Sequence, residues 1–268
     1  MSLIYEPRGK AREYSPLAIN LYSGCGHRCS YCYVPNVLRV TRTEFDTNVN
    51  PRKNILNLME KEIKKYEYSD KQVFMSFTTD PFNPIDEKEK LTRTALQLFL
   101  KYKIPVSILT KSGLKALRDL DVMKKFGSHF KIGASLTYDN DTDSGRIERG
   151  AALPGERLEM LKRFHDEGIR TWVSFEPIMS TDQVINLLHR SIDFVDEYQF
   201  GKLAADSRKI DWDDFLTTVL KILRDNKKDF YIKETLRNSS KIELNPIEYD
   251  LDYLTLKPFE RAEVSSLF

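Results

Sequence analysis

The feature that most restricts the fold is an alternation of short apolar runs with stretches whose apolar residues recur every three or four positions. Leu17 to Tyr22, Val73 to Phe77, Val106 to Leu109, Lys131 to Leu136, Thr171 to Phe175, Phe194 to Phe200 and Phe230 to Ile232 read as strands. Between them lie helical stripes. Ile55, Leu58, Met59, Ile63 and Tyr66 follow Pro51, with Lys61, Lys64 and Lys65 on the opposite, solvated face. Further stripes are carried by Leu91, Ala95, Leu98 and Phe99, by Leu114, Leu117, Leu120 and Met123, by Leu158, Leu161 and Phe164 between Pro154 and Gly168, by Val184, Leu187 and Leu188, and by Asp211 to Arg224. Strand and helix in strict alternation require right-handed crossovers and a parallel sheet, either curled into a barrel or open and doubly wound. The chain has 268 residues, enough for one α/β domain, with a core expected over 16–235 and an aperiodic extension over 238–268 that wraps the outside.

All three cysteines of the chain fall within Cys25-Gly26-His27-Arg28-Cys29-Ser30-Tyr31-Cys32-Tyr33, in the connection after the first strand. A structural zinc site closes four ligands around the metal, and an iron–sulfur cube needs one ligand per iron, so three thiolates leave one corner open. His27 is the one nearby candidate for a fourth ligand. It would turn the same short loop around every corner of the metal and yield a non-catalytic, zinc-stabilised nucleic-acid-binding module. An odd, clustered cysteine count argues against a disulfide framework and for a reducing compartment.

Composition removes other classes. A net charge of +2, with 31% charged residues, gives no global basic field that would hold nucleic acid indiscriminately, so any such binding needs a local patch. No run approaches ~18 apolar residues, and Met1 to Glu6 lack a basic segment followed by an apolar one, so a cytoplasmic protein with no membrane association is expected.

In parallel α/β folds chemistry collects at the carboxyl ends of the strands. There the sequence places Thr78, Thr79 and Asp80; Thr110, Lys111 and Ser112; Ser135 and Thr137; Glu176; Gly201 and Lys202; Lys233 and Glu234. Each could serve singly as a cap or turn residue, and Glu176-Pro177 as the start of a turn. Together they line one mouth.

The C-x-x-x-C-x-x-C spacing, with an aromatic before the last cysteine, resembles the cluster loop of the radical S-adenosylmethionine (SAM) enzymes. Asn20 to Cys25, Thr79-Asp80-Pro81 and Thr110-Lys111-Ser112 resemble the spore photoproduct lyase-like branch, also labelled DNA repair photolyase-like. The resemblance implies a partial (β/α)6 barrel and a four-iron four-sulfur (4Fe-4S) cluster on Cys25, Cys29 and Cys32. It implies SAM chelating the free iron, and an electron donor such as flavodoxin or ferredoxin. It further implies reductive cleavage of SAM to a 5′-deoxyadenosyl radical that abstracts a substrate hydrogen. By the same resemblance Thr79-Asp80 stands where the methionyl amine is recognised, with the Asp80 carboxylate facing the ammonium. Lys111 and Ser135 match positions for the SAM carboxylate, Thr137 and Glu176 are ribose candidates, and Tyr31 and Tyr33 border the adenine.

One departure bears on the substrate. Spore photoproduct lyases carry a fourth cysteine just before the Thr/Ser-Asp motif, where this chain reads Ser76-Phe77-Thr78-Thr79-Asp80. The lyase cycle, which returns a hydrogen from that thiol, does not carry over. Nucleic acid, peptide and small metabolite stay open as substrates, and Tyr138, following a strand end, is a candidate hydrogen donor. The stretch from Asp139 to Gly155, with Arg146 and Arg149, and with Arg157 just beyond it, reads as a long loop over the mouth.

Overall fold

The structure, a computed structural model, describes residues 2–203 and 206–261. Seven strands form one all-parallel sheet: β1 (Leu17–Ile19), β4 (Val73–Met75), β5 (Val106–Thr110), β6 (Phe130–Ser135), β7 (Arg170–Ile178), β8 (Glu197–Lys202) and β9 (Asp229–Ile232), adjacent in that order. The sheet curls into a partial barrel of the kind expected, and its strands are the seven apolar runs read from the sequence. Two very short strands, β2 (Tyr22–Ser23) and β3 (Asn50–Pro51), pair antiparallel and pin the base of the excursion that carries the cysteines.

Two cores result from the curl. Helices such as Leu91–Lys101, Pro154–Asp166, Thr181–Ser191 and Trp212–Asp225 bury their apolar stripes on the outer face of the sheet, where Phe99, Phe164, Leu187 and Leu223 are fully enclosed. Burying a side chain of this size contributes about 1.5–3 kcal/mol, which explains why helices with modest intrinsic propensity hold here. Inside the curl a smaller cluster, Ala18, Phe74 and Trp172 with Tyr5, Tyr14, Phe77 and Leu109, fills the lumen. Gly133 makes room for it: a Cβ there would lie 2.5 Å from the Trp172 indole, whose Nε1 donates to the Ile108 carbonyl at 3.0 Å.

Below this cluster the lumen is closed by a buried ion pair. Lys131 Nζ lies 2.7 and 2.9 Å from the Glu197 carboxylate oxygens and donates to the Leu254 carbonyl at 2.8 Å. The aperiodic extension thus has a definite task. Leu254 stands in a short helix, Leu251–Leu254, and the Leu256 amide donates to Gln72, so residues 254–256 cap the barrel floor. Residues 262–268 of the expected extension lie outside the described residues.

Edge strands β1 and β9 share no ladder among the described residues, and residues 13–15 cross the seam between them. The Glu13 carboxylate accepts from Tyr231 Oη and from the Glu234 amide, while the Tyr14 carbonyl accepts from Gln72 and Ser15 Oγ donates to the Gln72 carbonyl.

Several boundaries differ from the sequence reading. The first strand stops at Ile19 because Asn20 turns its side chain to the backbone: Oδ1 accepts from the Phe77 and Thr78 amides, tying β1 to the end of β4. Pro51 belongs to β3, and its helix starts four residues later at Ile55. Leu114 to Met123 form mostly tight 3₁₀ turns, with an α-helix only over Leu120–Met123. The stretch after Asp139 is no open loop: it holds a helix, Asp141–Ile147, capped by Asn140.

Candidate active site

The cysteine loop is gripped from three sides. Behind it, the segment after β4 supplies Thr79, whose Oγ1 donates to the Gly24 carbonyl at 2.7 Å, and Asn83, whose Oδ1 accepts from the Gly26 amide at 2.9 Å. From the other flank, residues 147–150 zip onto the loop. The Ser30 amide donates to the Ile147 carbonyl, the Gly150 amide to the His27 carbonyl, and Cys29 and Glu148 form an antiparallel bridge. Only glycine fits at 150, since a Cβ would lie 2.1 Å from the Gly26 carbonyl oxygen. The third side is the short helix Arg42–Thr47, whose Phe45 carbonyl accepts from the Cys25 amide.

His27 is buried beneath this loop with both ring nitrogens engaged. Nε2 is 2.9 Å from Asp80 Oδ2 and 3.3 Å from Ser112 Oγ, and Nδ1 is 3.1 Å from the Gly150 carbonyl. Neither nitrogen is left for a metal. Asp80 is enclosed by its own chain: it accepts from the Phe82 and Lys111 amides and from the Thr110 and Ser112 hydroxyls, besides facing His27. Burial works to raise its pKa, but His27 and the amides outweigh burial and hold the carboxyl at about 2.

Four of the predicted residues meet around a carboxylate that the sequence reading missed. Glu148, fully buried, accepts from Arg157 Nη2 at 2.7 Å, from Ser144 at 3.2 Å and from Tyr31 Oη, and Tyr31 also lies 3.2 Å from Thr137 Oγ1. Lys111 Nζ stands 3.9 Å from the same carboxylate and 5.7 Å from the Tyr31 ring centre, and donates to Ser135 Oγ at 2.7 Å. From Ser135 the polar arc continues weakly to the Glu176 carbonyl, 3.5 Å away. The Glu176 carboxylate is held by Lys233 Nζ at 2.5 Å and by the Tyr14 hydroxyl, and Gly201 leaves it space, since a Cβ there would lie 2.8 Å from Glu176 Cδ. Tyr33 is the outlier: more than half exposed, it makes none of these contacts.

Arg157 is no loop arginine; it is buried, locked to Glu148 and to the Ser135 and Ala152 carbonyls. Arg146 and Arg149 are exposed. No pattern in the local sequence singles out Glu148, which sits between Ile147 and Arg149; only the fold carries it under the cysteines. Tyr14 was equally hidden, because it lies before the first strand. A surface cavity of about 880 Å³ lies elsewhere, lined by residues such as Tyr5, Arg8, Tyr66 and Lys71, and contains no cysteine.

All three cysteines are free thiols. Burial, then the nearby Asp80 carboxylate, pushes Cys25 well up; burial pushes Cys29 up to about 11, with Lys111 opposing it. Such thiols ionise only against a strong local cation, which is what a bound metal centre supplies. Among the described residues no three His, Cys, Asp or Glu side chains gather around a point suited to a single metal ion. Three thiolates in one loop, with one corner left open, are the donor set a cluster of one ligand per iron would take.

Residues 19–195 match the family model for the Radical SAM superfamily. The chain belongs to the radical SAM superfamily. That family implies SAM and a 4Fe-4S cluster. A protein of Methanocaldococcus jannaschii is 30% identical over 162 residues, 60% of each chain. A radical SAM Nα-GlyT isomerase of Pseudomonas phage M6 is 25% identical over 176 residues, 63% of this chain and 35% of the phage protein. The matches thus cover 60% or less of these relatives. Among solved structures, Streptococcus suis SuiB bound to S-adenosylmethionine aligns with TM-score 0.63 at 15% identity, over 85% of this chain and 53% of that one. Spore photoproduct lyase complexed with dinucleoside spore photoproduct aligns with TM-score 0.63 at 15% identity, over 85% and 78%. These likenesses show the fold. Among the described residues no helix is long and apolar enough to cross a membrane.

Proposed function

We propose that Cys25, Cys29 and Cys32 hold the cluster and that SAM lies along the arc from Tyr31 and Lys111 through Ser135 and Thr137 to Glu176. When bound, these cofactors supply an electron and a 5′-deoxyadenosyl radical that removes a substrate hydrogen. The observation that carries the placement is Lys111, a cation at the mouth with one short hydrogen bond and a carboxylate only at 3.9 Å, partly open to solvent. A ligand carboxylate would complete its pairing. Thr79 and Asp80 take a different part in this reading: their polar atoms are directed to the cysteine loop and its supports, so they hold the loop and leave the ammonium of SAM to other partners. Glu176, already paired with Lys233, is suited to accept from ribose hydroxyls through its second oxygen. Tyr33, exposed beside Cys32, borders the entrance. His27 serves as a brace, which disfavours the zinc-module alternative.

The substrate we propose is nucleic acid. Four exposed arginines lie in or close along the chain to the cysteine loop and its pairing segment: Arg28 within the loop, Arg39 six residues after it, and Arg146 and Arg149 flanking the contacts at residues 147–150, with Arg146 also paired to Asp143 at 3.3 Å. They supply positive charge of the local kind that a net charge of +2 requires if phosphates are to be held. The fold does not choose, since neighbours of similar likeness are bound to a dinucleoside photoproduct in one case and to a precursor peptide in another. A relative is named as a radical SAM isomerase, which supports a reaction that rearranges its substrate. Tyr138, 7% exposed, is less accessible for the donor role than its place in the sequence suggested. A flavodoxin- or ferredoxin-like reductant, a reducing cytoplasm and a single domain across the chain complete the reading.

The test is anaerobic incubation of the reconstituted protein with SAM, reductant and either DNA or RNA oligonucleotides, peptides, or dinucleotide spore photoproduct. Substrate-dependent 5′-deoxyadenosine or an altered base with an oligonucleotide is expected, with binding that weakens as salt rises. Stimulation by peptides alone would overturn the nucleic-acid reading, and clean multiple-turnover repair of the photoproduct would require a non-thiol hydrogen donor.

A further inference from the structure

The cysteine loop has one support whose charge has no carboxylate to answer it. Arg42, the first residue of the helix Arg42–Thr47, donates from Nη1 to the Cys29 carbonyl at 3.0 Å and from Nη2 to the Cys32 carbonyl at 2.7 Å, with the Ser30 carbonyl 3.5 Å away. One guanidinium thus spans the backbone of two of the three cysteines. Its own helix is fixed twice: the Thr41 side chain caps it by accepting from the Glu44 amide, and Phe45 is buried beneath it. The Phe45 carbonyl then holds the third cysteine through the Cys25 amide at 3.1 Å. Gly24, at φ +76°, keeps this approach open, since a Cβ there would lie 2.7 Å from the Asn48 carbonyl oxygen and 2.8 Å from that of Phe45. No salt bridge to Arg42 occurs among the described residues, so its positive charge is spent on these carbonyls.

We propose that Arg42 is a positioning residue for the cluster that also sets its reduction potential. It rests on the reading of Cys25, Cys29 and Cys32 as cluster ligands. Two physical effects follow from the same geometry. A planar fork bonded to two carbonyls fixes the spacing of Cys29 and Cys32, which a flexible ammonium on a single-point contact does not. A fixed positive charge beside the ligand backbone favours the reduced cluster, which is one unit more negative, so the potential lies less far negative than it would without Arg42. One electron passes from the external reductant to the cluster; Arg42 neither gains nor loses charge. The loop's other braces, Thr79, Asn83 and the His27–Asp80 pair, face residues 24–27, so the half of the loop from Cys29 to Cys32 depends on Arg42 on one side and, on the other, on the Cys29–Glu148 bridge, the Ser30–Ile147 contact and the Tyr31 hydroxyl held by Glu148 and Thr137.

The test compares wild type, Arg42→Lys and Arg42→Gln, reconstituted anaerobically without SAM. Iron and sulfide per chain, loss of iron to a chelator, and the midpoint potential by dithionite titration with electron paramagnetic resonance are measured. Arg42→Gln is expected to shift the potential to more negative values and to give a several-fold smaller reduced-cluster signal at fixed dithionite. Arg42→Lys is expected to keep a potential near wild type yet lose iron several-fold faster, which separates charge from geometry. A merely structural residue would not move the potential of molecules that hold a full cluster, so an unchanged potential in fully loaded Arg42→Gln overturns the tuning role. Should neither variant load, amide hydrogen exchange on the cluster-free full chain decides. Faster exchange confined to residues 29–33 supports the positioning role, and exchange equal to wild type there overturns it. Failure of wild type itself to bind iron would instead refute the assignment of the cysteines.

Discussion

Two lysine–glutamate contacts of the barrel, Lys131–Glu197 at its floor and Lys111–Glu148 at its mouth, are built to different degrees of completion. At the floor Lys131 meets both oxygens of Glu197 and the Leu254 carbonyl, and neither side chain is more than 2% exposed. At the mouth Lys111 is 16% exposed and 3.9 Å from Glu148, while Glu148 is already paired with Arg157 and Tyr31. The floor pair is closed because desolvating two charges costs several kcal/mol unless every donor and acceptor is matched. The mouth lysine is left partly unmatched because its carboxylate is satisfied by others, and that surplus is what a ligand can use. Structural charge and functional charge here differ in completeness of pairing rather than in residue type.

Replacing any one of Cys25, Cys29 or Cys32 with alanine should abolish the visible absorbance of the reconstituted cluster and all SAM cleavage while the circular dichroism spectrum stays near wild type. A full cluster in any of the three variants would show that one is not a ligand. At the floor, Lys131→Met leaves buried Glu197 with only a hydrogen bond from Gln199 at 3.1 Å and Arg170 at 3.6 Å, and should lower unfolding free energy by about 3–5 kcal/mol, read by urea denaturation. A change under about 1 kcal/mol would mean that the floor is not the closed structural pair described.

Lys111→Met should do the reverse. Glu148 keeps Arg157, Tyr31 and Ser144, so stability should change by less than about 1 kcal/mol, while SAM binding to the loaded protein weakens by about ten- to a hundredfold, measured by calorimetry. Equal loss of stability at both lysines would erase the distinction between floor and mouth.

The smallest effect is confined to acid. Asp80 has a folded-state pKa of about 2, below the roughly 3.9 of an unfolded aspartate. Its contribution to stability is therefore fully present above pH about 4 and is lost as pH falls through about 2, amounting to on the order of 2 kcal/mol. Wild type should lose stability over that window more steeply than Asp80→Asn, and parallel curves would place the lowered pKa elsewhere. If Asp80 braces the loop as proposed, Asp80→Asn also reduces iron retention, whereas an aspartate that served only SAM would leave iron content unchanged.

Much of this architecture is legible in the sequence because strand and helix periods are local properties. All seven parallel strands appear as apolar runs, and Pro154 and Gly168 mark both ends of the helix Pro154–Asp166. Boundaries slipped where one side chain redirected the backbone, as at Asn20, or where a proline lent itself to a short strand, as at Pro51. The cysteine spacing singled out the loop that we propose holds the cluster. Glu148 and Tyr14 did not appear, since they reach Tyr31 and Glu176 only through contacts between distant segments, and Arg42 did not because a charged residue in a polar stretch carries no local sign that it folds back on the loop before it. Asp80 was prominent in the sequence for its place after a strand, but that position alone does not say whether a carboxylate faces a ligand or a histidine of its own chain.

The most direct measurement is anaerobic reconstitution with iron and sulfide, followed by incubation with SAM and a low-potential reductant and quantification of 5′-deoxyadenosine. A brown protein with about four irons per chain, releasing 5′-deoxyadenosine that disappears in the cysteine variants, is the result this account predicts. A colourless protein that retains zinc, binds no cluster and forms no 5′-deoxyadenosine would contradict it.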